Sequence, residues 1–281
     1  MLVEIEGRQL TLSNLDKVLY PNGFTKGEVI SYYTRIAPVM LPHLNGRNVT
    51  MVRFPNGVDG QSFFAKNVPV HAPEWIERVT LKDNTYIVCR DLATLVFMAN
   101  LAALELHVPM HRAGDDSWTP DWIVFDLDPG PGTDVRECAG VALHIREILE
   151  PLGLGVVAKT SGSKGMQLYA RAVAGSTYDG DAGTTAFARA VAEGLARAYP
   201  DAVVSKMTKA LRPGKIFIDW SQNVRAKTTV APYSLRARPE PTVSTPLSWD
   251  EVERCAAGTE MRFTATEVLD RVERLGDLFN P

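Results

Sequence analysis

The stretch WIVFDLDPGPG at 122–132 constrains the fold more than any other part of the chain. Trp122 to Phe125 are bulky strand formers, and they run straight into Asp126-Leu127-Asp128. Side chains alternate faces along a strand, so the two carboxylates share one face while Leu127 points into the core. Pro129-Gly130-Pro131-Gly132 then ends the strand, because proline lacks a ladder donor and glycine does not hold an extended conformation. Such a chain has to bury a sheet whose strand tip meets solvent with two like charges side by side.

Two neighbouring carboxylates repel and raise each other's pKa unless a cation sits between them. Hard divalent ions such as Mg²⁺ or Mn²⁺ take oxygen ligands and bridge carboxylates to phosphates, so a metal site is the economical explanation. A second apolar run, KIFID, delivers Asp219 at its end in the same manner. Three acids on strand ends suit two ions roughly 3.5–4 Å apart, the geometry of phosphoryl transfer. Taken alone, D-x-D is a weak motif that surface turns also produce.

The segment KTSGSKG at 159–165 adds a strand leading into a loop of small residues. Its successive backbone N–H groups, with Ser161, Ser163 and Lys164, suit a triphosphate, although a plain hairpin loop has the same composition. It lacks the G-x-x-x-x-G-K-[ST] pattern of a Walker loop. Gly153-Leu154-Gly155 precedes a strand instead of opening a helix, the wrong context for a dinucleotide fingerprint.

Elsewhere the pattern predicts a short strand pair at the start, then a capping box, Thr25-x-x-Glu28, opening a helix that should end near Pro38 or Pro42. Strands are predicted at 48–54 and 85–90, and the apolar run 92–108, with Asp91 as N-cap, reads as a buried helix. The polar loop 111–120 is the natural seam. Beyond it lie the 122–128 strand, a helix over 134–152, strands at 156–160 and from Met166, a helix near 182–199, the 215–220 strand, an extended piece from Lys227, and helices around 248–257 and 264–278. Strands alternating with helices argue for an α/β or α+β sandwich, divided as an N-terminal module over 1–115, a catalytic module over 116–245 and C-terminal helices over 246–281.

The net charge of −3 argues globally against nucleic-acid binding, but its distribution does not. Lys206 to Arg238 holds eight Lys and Arg and one acid, Asp219, while the tail from Trp249 is rich in Asp and Glu. Local field steers phosphates, so this basic stretch matters more than the sum, though charge runs are more often just solvated surface. Three scattered cysteines show no C-x-x-C spacing, which argues against a disulfide framework or a zinc site. With no secretory signal pattern and no membrane span, the expectation is a cytoplasmic, nucleoid-associated protein with no membrane partner.

The ordered blocks LSNLDKVLYPNG, TKGEVISYYTRIAPVMLPHL, NGVDGQSFFAKN, ALELHVP, VFDLDPG, KTSGSKG, TKALRPGKIFIDWSQN and TTVAPYSLRARPEPTVSTPLSWDE resemble, nearly end to end, the polymerase domain of bacterial DNA ligase D, a branch of the archaeo-eukaryotic primase superfamily. The resemblance implies an RRM-like catalytic module with the N-terminal α/β module packed across it to form a central cleft. It implies template-directed addition of nucleotides, ribonucleotides preferred, to DNA ends and gaps carrying a 5′-phosphate, with two Mn²⁺ or Mg²⁺ ions. The 281 residues leave no room for a ligase or nuclease domain, so the expectation is a stand-alone form whose joining step needs a separate ligase and a Ku-like end binder.

By position, the resemblance makes Asp126, Asp128 and Asp219 the metal ligands and catalytic acids. Arg53, Phe64, Lys66, His107, Ser161, Ser163, Lys164, Gln167 and Lys227 fall where the family holds the incoming nucleotide. Lys17 and Lys26 resemble the pocket for a downstream 5′-phosphate, Phe63 and Phe64 the aromatic pair that meets a base, and Arg212 the basic loop at the primer end, with Arg236 and Arg238 also on DNA. One of the two phenylalanines is expected to face inward, since adjacent strand residues point opposite ways. Gln167 departs from the histidine usual in SGSKG-x-H; its amide can donate to a phosphate but cannot become cationic.

Two other readings compete. VFDLDPG imitates the opening motif of haloacid-dehalogenase-type phosphatases, but Pro129 stands where glycine belongs and the acidic GDD at 114–116 lies upstream. A catalytically weak scaffold holding DNA ends draws its only support from Gln167.

Overall fold

The computed structural model describes residues 1–114, 119–172, 180–225 and 227–280. The chain forms two compact units, each assembled from separate stretches: Met1–Pro109, Thr229–Ser244 and Phe263–Gly276 in the first, and Met110–Thr228, Thr245–Arg262 and Asp277–Pro281 in the second.

The first unit is built on a sheet in the order Thr229–Val230, Ala103–Val108, Asn48–Arg53, Asn84–Val88, Arg78–Leu81, with the short strand Phe63–Ala65 also paired to Asn48–Arg53. The hairpin Leu2–Ile5/Arg8–Thr11 stands apart from it. Thr25 and Glu28 form the expected reciprocal capping box, but the helix they open runs from Lys26 to Leu44 with Pro38 and Pro42 inside it. A proline inside a helix costs about 3 kcal/mol. Val29, Tyr33, Ile36, Met40 and Leu44 are all fully buried along one face. At about 1.5–3 kcal/mol for each large apolar side chain, that burial outweighs both prolines.

The apolar run expected as one helix over 92–108 is instead a helix, Leu92–Asn100, and a strand, Ala103–Val108. Asp91 caps the helix by accepting from the Thr94 N–H. Ala102 then takes a left-handed conformation, φ 55°, that turns the chain back. A largely apolar run, interrupted at Asn100 and Glu105, shows too little period to separate buried helix from buried strand.

The second unit carries a sheet in the order Val203–Val204, Ile216–Asp219, Trp122–Pro129, Met166–Arg171, Val156–Thr160, Pro246–Leu247. All neighbours are antiparallel except the first pair. The helix Val135–Leu149, capped by Asp134 and Glu137, packs against Trp122–Pro129 and against the helix Trp249–Ala256. The helix Gly180–Ala198 lies near the predicted 182–199. Within the 111–120 loop, and within GDD, residues 115–118 fall outside the described residues. Among the described residues no helix is long and apolar enough to cross a membrane.

Candidate active site

The second unit's sheet brings four polar side chains into one cross-strand row. Asp219 is the register partner of Asp126, Asp126 of Gln167, and Gln167 of Lys159. Directly opposed residues on adjacent strands project to the same face, and Asp128, two residues beyond Asp126, projects there too. The break after Asp128 is a built joint: Gly130 N donates to the Lys215 carbonyl at 2.9 Å and Gly214 N to that of Pro131 at 2.8 Å. A Cβ on Gly130 would stand 1.8 Å from the Arg212 carbonyl oxygen, and one on Gly165 2.1 Å from that of Leu127, so both positions need glycine. The side chain of Asn223 acts as a further strand neighbour, accepting from Val124 N at 2.8 Å and donating to its carbonyl at 2.7 Å.

Burial, then the charge of Asp128, with Asp219 adding to them, pushes the Asp126 carboxyl up to about 7 against the opposing Gln167 hydrogen bond and the charge of Lys159. Desolvation and Asp219 also raise Asp128, with Arg212 opposing. Three carboxylates on one face, Asp126 and Asp128 among them resisting ionisation, are the oxygen-rich donor set a hard divalent cation neutralises, so the residues fit such an ion in chemistry. Asp219 Oδ1 accepts from the backbone N and Oγ of Ser221 at 3.0 and 2.6 Å, and its Oδ2 from Gln222 at 2.9 Å. Among the described residues no three His, Cys, Asp or Glu side chains are closed around a metal position.

The 161–165 loop is closed on itself. Ser161 Oγ accepts from the N–H groups of Ser163 at 3.2 Å and Gly165 at 3.1 Å, while Ser161 N donates to the Gly165 carbonyl at 2.9 Å. Lys164 is exposed. The loop borders a cavity of about 950 Å³, whose lining includes Arg136, Lys164 and Arg262. Gln167 is buried, with Nε2 donating to Asp126 Oδ1 at 3.0 Å. Arg212 lies 3.8 Å from the Phe217 ring centroid and donates to the Met207 carbonyl at 3.0 Å, and Lys227 is exposed.

The remaining predicted residues belong to the first unit. Lys17 donates to Asn56 at 2.9 Å, and the buried Lys26 donates to the Ser13 carbonyl at 2.6 Å. Burial, then the charges of Lys17 and Arg53, holds Lys26 below the usual lysine range, so these three cations form one field. Arg53 itself is lowered by burial and donates from Nε to the Leu101 carbonyl at 2.9 Å. Phe63 and Phe64 are 47% and 59% exposed, which corrects the expectation that one faces inward. Their three-residue strand lies off the main path of the sheet, and Ala65 is its residue that packs against the core. The Phe64 ring lies 6.4 Å from that of His107. Lys66 is half-buried and Arg238 exposed.

His107 and Arg236 converge on a residue the sequence did not single out. Glu105 meets His107 Nε2 at 3.0 Å, Arg236 Nε at 3.0 Å and Ala237 N at 3.0 Å. Burial would push its carboxyl up, but His107, Arg236 and the Ala237 amide bring it down to about 2. The alternation in ALELHVP puts Glu105 and His107 on one strand face, a signal available in the sequence. Lys159 and Tyr169 were missed as well, because their link to the acids runs through strand register.

The chain's backbone can be laid over the polymerase domain from Mycobacterium tuberculosis Ligase D in complex with DNA with a TM-score of 0.89, at 43% identity and covering 96% of each chain. That match defines the class: a primase-type polymerase of the archaeo-eukaryotic primase fold, a nucleotidyltransferase. Residues 25–279 match the family described as LigD, primase-polymerase domain. The chain belongs to that family. It is 45% identical to the multifunctional non-homologous end joining protein LigD of Mycolicibacterium smegmatis over 97% of its own length and 36% of that protein's. Against the bifunctional non-homologous end joining protein LigD of Bacillus subtilis the identity is 34%, over 95% of this chain and 43% of that protein. The chain therefore spans about two fifths of the length of these relatives.

Proposed function

We propose that the chain is a metal-dependent, DNA-directed polymerase that adds nucleotides, ribonucleotides in preference, to DNA ends and short gaps in non-homologous end joining or gap-filling repair. The observation that carries this reading is the row that sets Asp219 opposite Asp126 with Asp128 on the same face. Those three acids would hold Mn²⁺ or Mg²⁺, two ions in all, which when bound neutralise charge on the reacting phosphate oxygens. On the second unit, Ser161, Ser163, Lys164, Gln167 and Lys227 are assigned to the nucleotide and Arg212 to the primer end, Gln167 also donating to Asp126. On the first unit, Arg53, Phe64, Lys66 and His107 are assigned to the nucleotide, and Lys17, Lys26, Phe63, Arg236 and Arg238 to DNA with its 5′-phosphate. The exposed phenylalanines support stacking, and the Lys17, Lys26 and Arg53 field supports phosphate binding. A separate ligase and a Ku-like end binder would complete joining beside the nucleoid. The phosphatase alternative draws no support from the family match.

The test is extension of a primer across a short gap with a downstream 5′-phosphate, in Mn²⁺ or Mg²⁺ and with NTPs or dNTPs. Wild type should incorporate and Asp126→Ala should not. Incorporation at the wild-type rate by Asp126→Ala removes the reading; end binding without incorporation by wild type turns it into the scaffold.

A further inference from the structure

Lys159 is fully buried in the Val156–Thr160 strand. Its Nζ donates to Oε1 of Gln167 at 2.5 Å and lies 5.4 Å from the ring centroid of Tyr169, whose hydroxyl donates to the same Oε1 at 3.1 Å. With two donors on the carbonyl oxygen, the amide has one orientation left: its NH₂ faces Asp126 and reaches Oδ1 at 3.0 Å. A buried ammonium is costly unless compensated, and here a carbonyl, a π face and the Asp126 carboxylate of the same row compensate it.

We propose that Lys159 is a positioning residue that weakens divalent-cation binding at Asp126, Asp128 and Asp219, acting through the Gln167 amide. The inference rests on those acids being cation ligands. Two effects work in the same direction. The fixed positive charge competes with an incoming cation for the Asp126 carboxylate, and the donors on Oε1 keep that oxygen, itself a cation ligand by type, turned away from the site. Linkage makes the competition reciprocal: whatever the ammonium gains from the acids, the cation loses. The consequence is a site that holds its ion poorly until substrate phosphates add their oxygens, the usual manner in which Mg²⁺ is shared between carboxylates and phosphates.

The experiment is titration of Mn²⁺ into the nucleotide-free protein, with free ion read by electron paramagnetic resonance, for wild type, Lys159→Met and Asp126→Ala. Methionine keeps the length and apolar character of the lysine stem without its charge. Lys159→Met should bind Mn²⁺ on the order of tenfold more tightly, a typical coupling between linked sites. Affinity that is unchanged or weaker in folded Lys159→Met overturns the proposal. If circular dichroism shows that variant unfolded, Lys159→Gln, which is neutral but retains a donor to Gln167, carries the same expectation and the same overturning result. Asp126→Ala separates the two ideas. If it binds Mn²⁺ as wild type does, the ligand reading itself is wrong; if it loses Mn²⁺ while Lys159→Met binds at the wild-type level, the positioning role alone is lost.

Discussion

Asp126 and Asp219 stand directly opposite each other on adjacent antiparallel strands, and each is held by a different polar neighbour: Asp126 by Gln167, Asp219 by Ser221 and Gln222. Asp219 therefore does two things at once. Its carboxylate caps the short turn Trp220–Asn223, and its charge completes the acidic face. Replacing it with alanine removes both, whereas asparagine retains an acceptor for the Ser221 N–H, removes the charge, and sets a donor against Gln222, whose amide can turn its own oxygen to meet it.

Asp219→Ala should lose about 1 kcal/mol of stability, the usual cost of deleting a cap, and all nucleotide incorporation. Asp219→Asn should recover the stability and none of the incorporation. Thermal unfolding beside gap extension reads both, and polymerisation by Asp219→Asn at the wild-type rate would show that the charge is not used.

Gly165→Ala should destabilise the protein by about 2–3 kcal/mol, because the new Cβ would lie 2.1 Å from the Leu127 carbonyl and a backbone group cannot step aside as a flexible side chain can. The displaced backbone lies between Asp126 and Asp128, so incorporation should fall further than stability does. Denaturant unfolding with parallel single-turnover rates checks this; a fully active variant with unchanged stability would contradict the packing.

The end of the Trp122–Pro129 strand was legible because strand alternation and the Pro-Gly break are local signals, and they place Asp126 and Asp128 on one face without any partner strand. The rest of the row was not. Which residue faces Asp126 is set by pairing between segments some forty and ninety residues apart, and a one-residue slip would have sent Asp219 or Gln167 to the other face. The role of Lys159 lies one strand further out and was correspondingly harder to see. Composition misled twice in the first unit. Two prolines suggested a helix end near Pro38 or Pro42, and the helix instead passes both to close at Leu44, two residues beyond the second, while a largely apolar run hid a turn at Ala102. The interleaving of the two units by returning segments has no local signature at all.

Acid should loosen the first unit through Glu105. Its carboxyl lies at about 2 in the folded chain, below its ordinary value. A depressed carboxylate contributes stability that is fully present above the unfolded value and is lost as pH falls through the folded one. The contribution therefore declines from roughly pH 4.5 to about pH 2. Glu105→Gln should cost about 3 kcal/mol at pH 7, where it leaves the Arg236 guanidinium without its carboxylate, and should converge on wild type near the acid end of that window. Urea unfolding at a series of pH values measures it; a constant difference between the two proteins from pH 7 to pH 2 would show that the ion pair is not the source.

Lys26 is buried, bonded to the Ser13 carbonyl, and repelled by Lys17 and Arg53. Burial is the largest of the three penalties on its charge, and the Ser13 hydrogen bond offsets part of them, so the free protein gains little from keeping an ammonium there. A phosphate between the three cations would reverse the balance, because each charge-assisted hydrogen bond to it contributes about 1.5–3 kcal/mol. Lys26→Met, which keeps the stem and removes the charge, should leave stability unchanged or higher. It should weaken binding of gapped DNA carrying a 5′-phosphate by on the order of tenfold and leave binding of the 5′-hydroxyl duplex almost untouched. The slope of log affinity against log salt should fall by about one for the phosphorylated duplex only. Fluorescence anisotropy on the two duplexes over a range of potassium chloride decides it, and equal losses on both would assign Lys26 to the general backbone field in place of the 5′-phosphate.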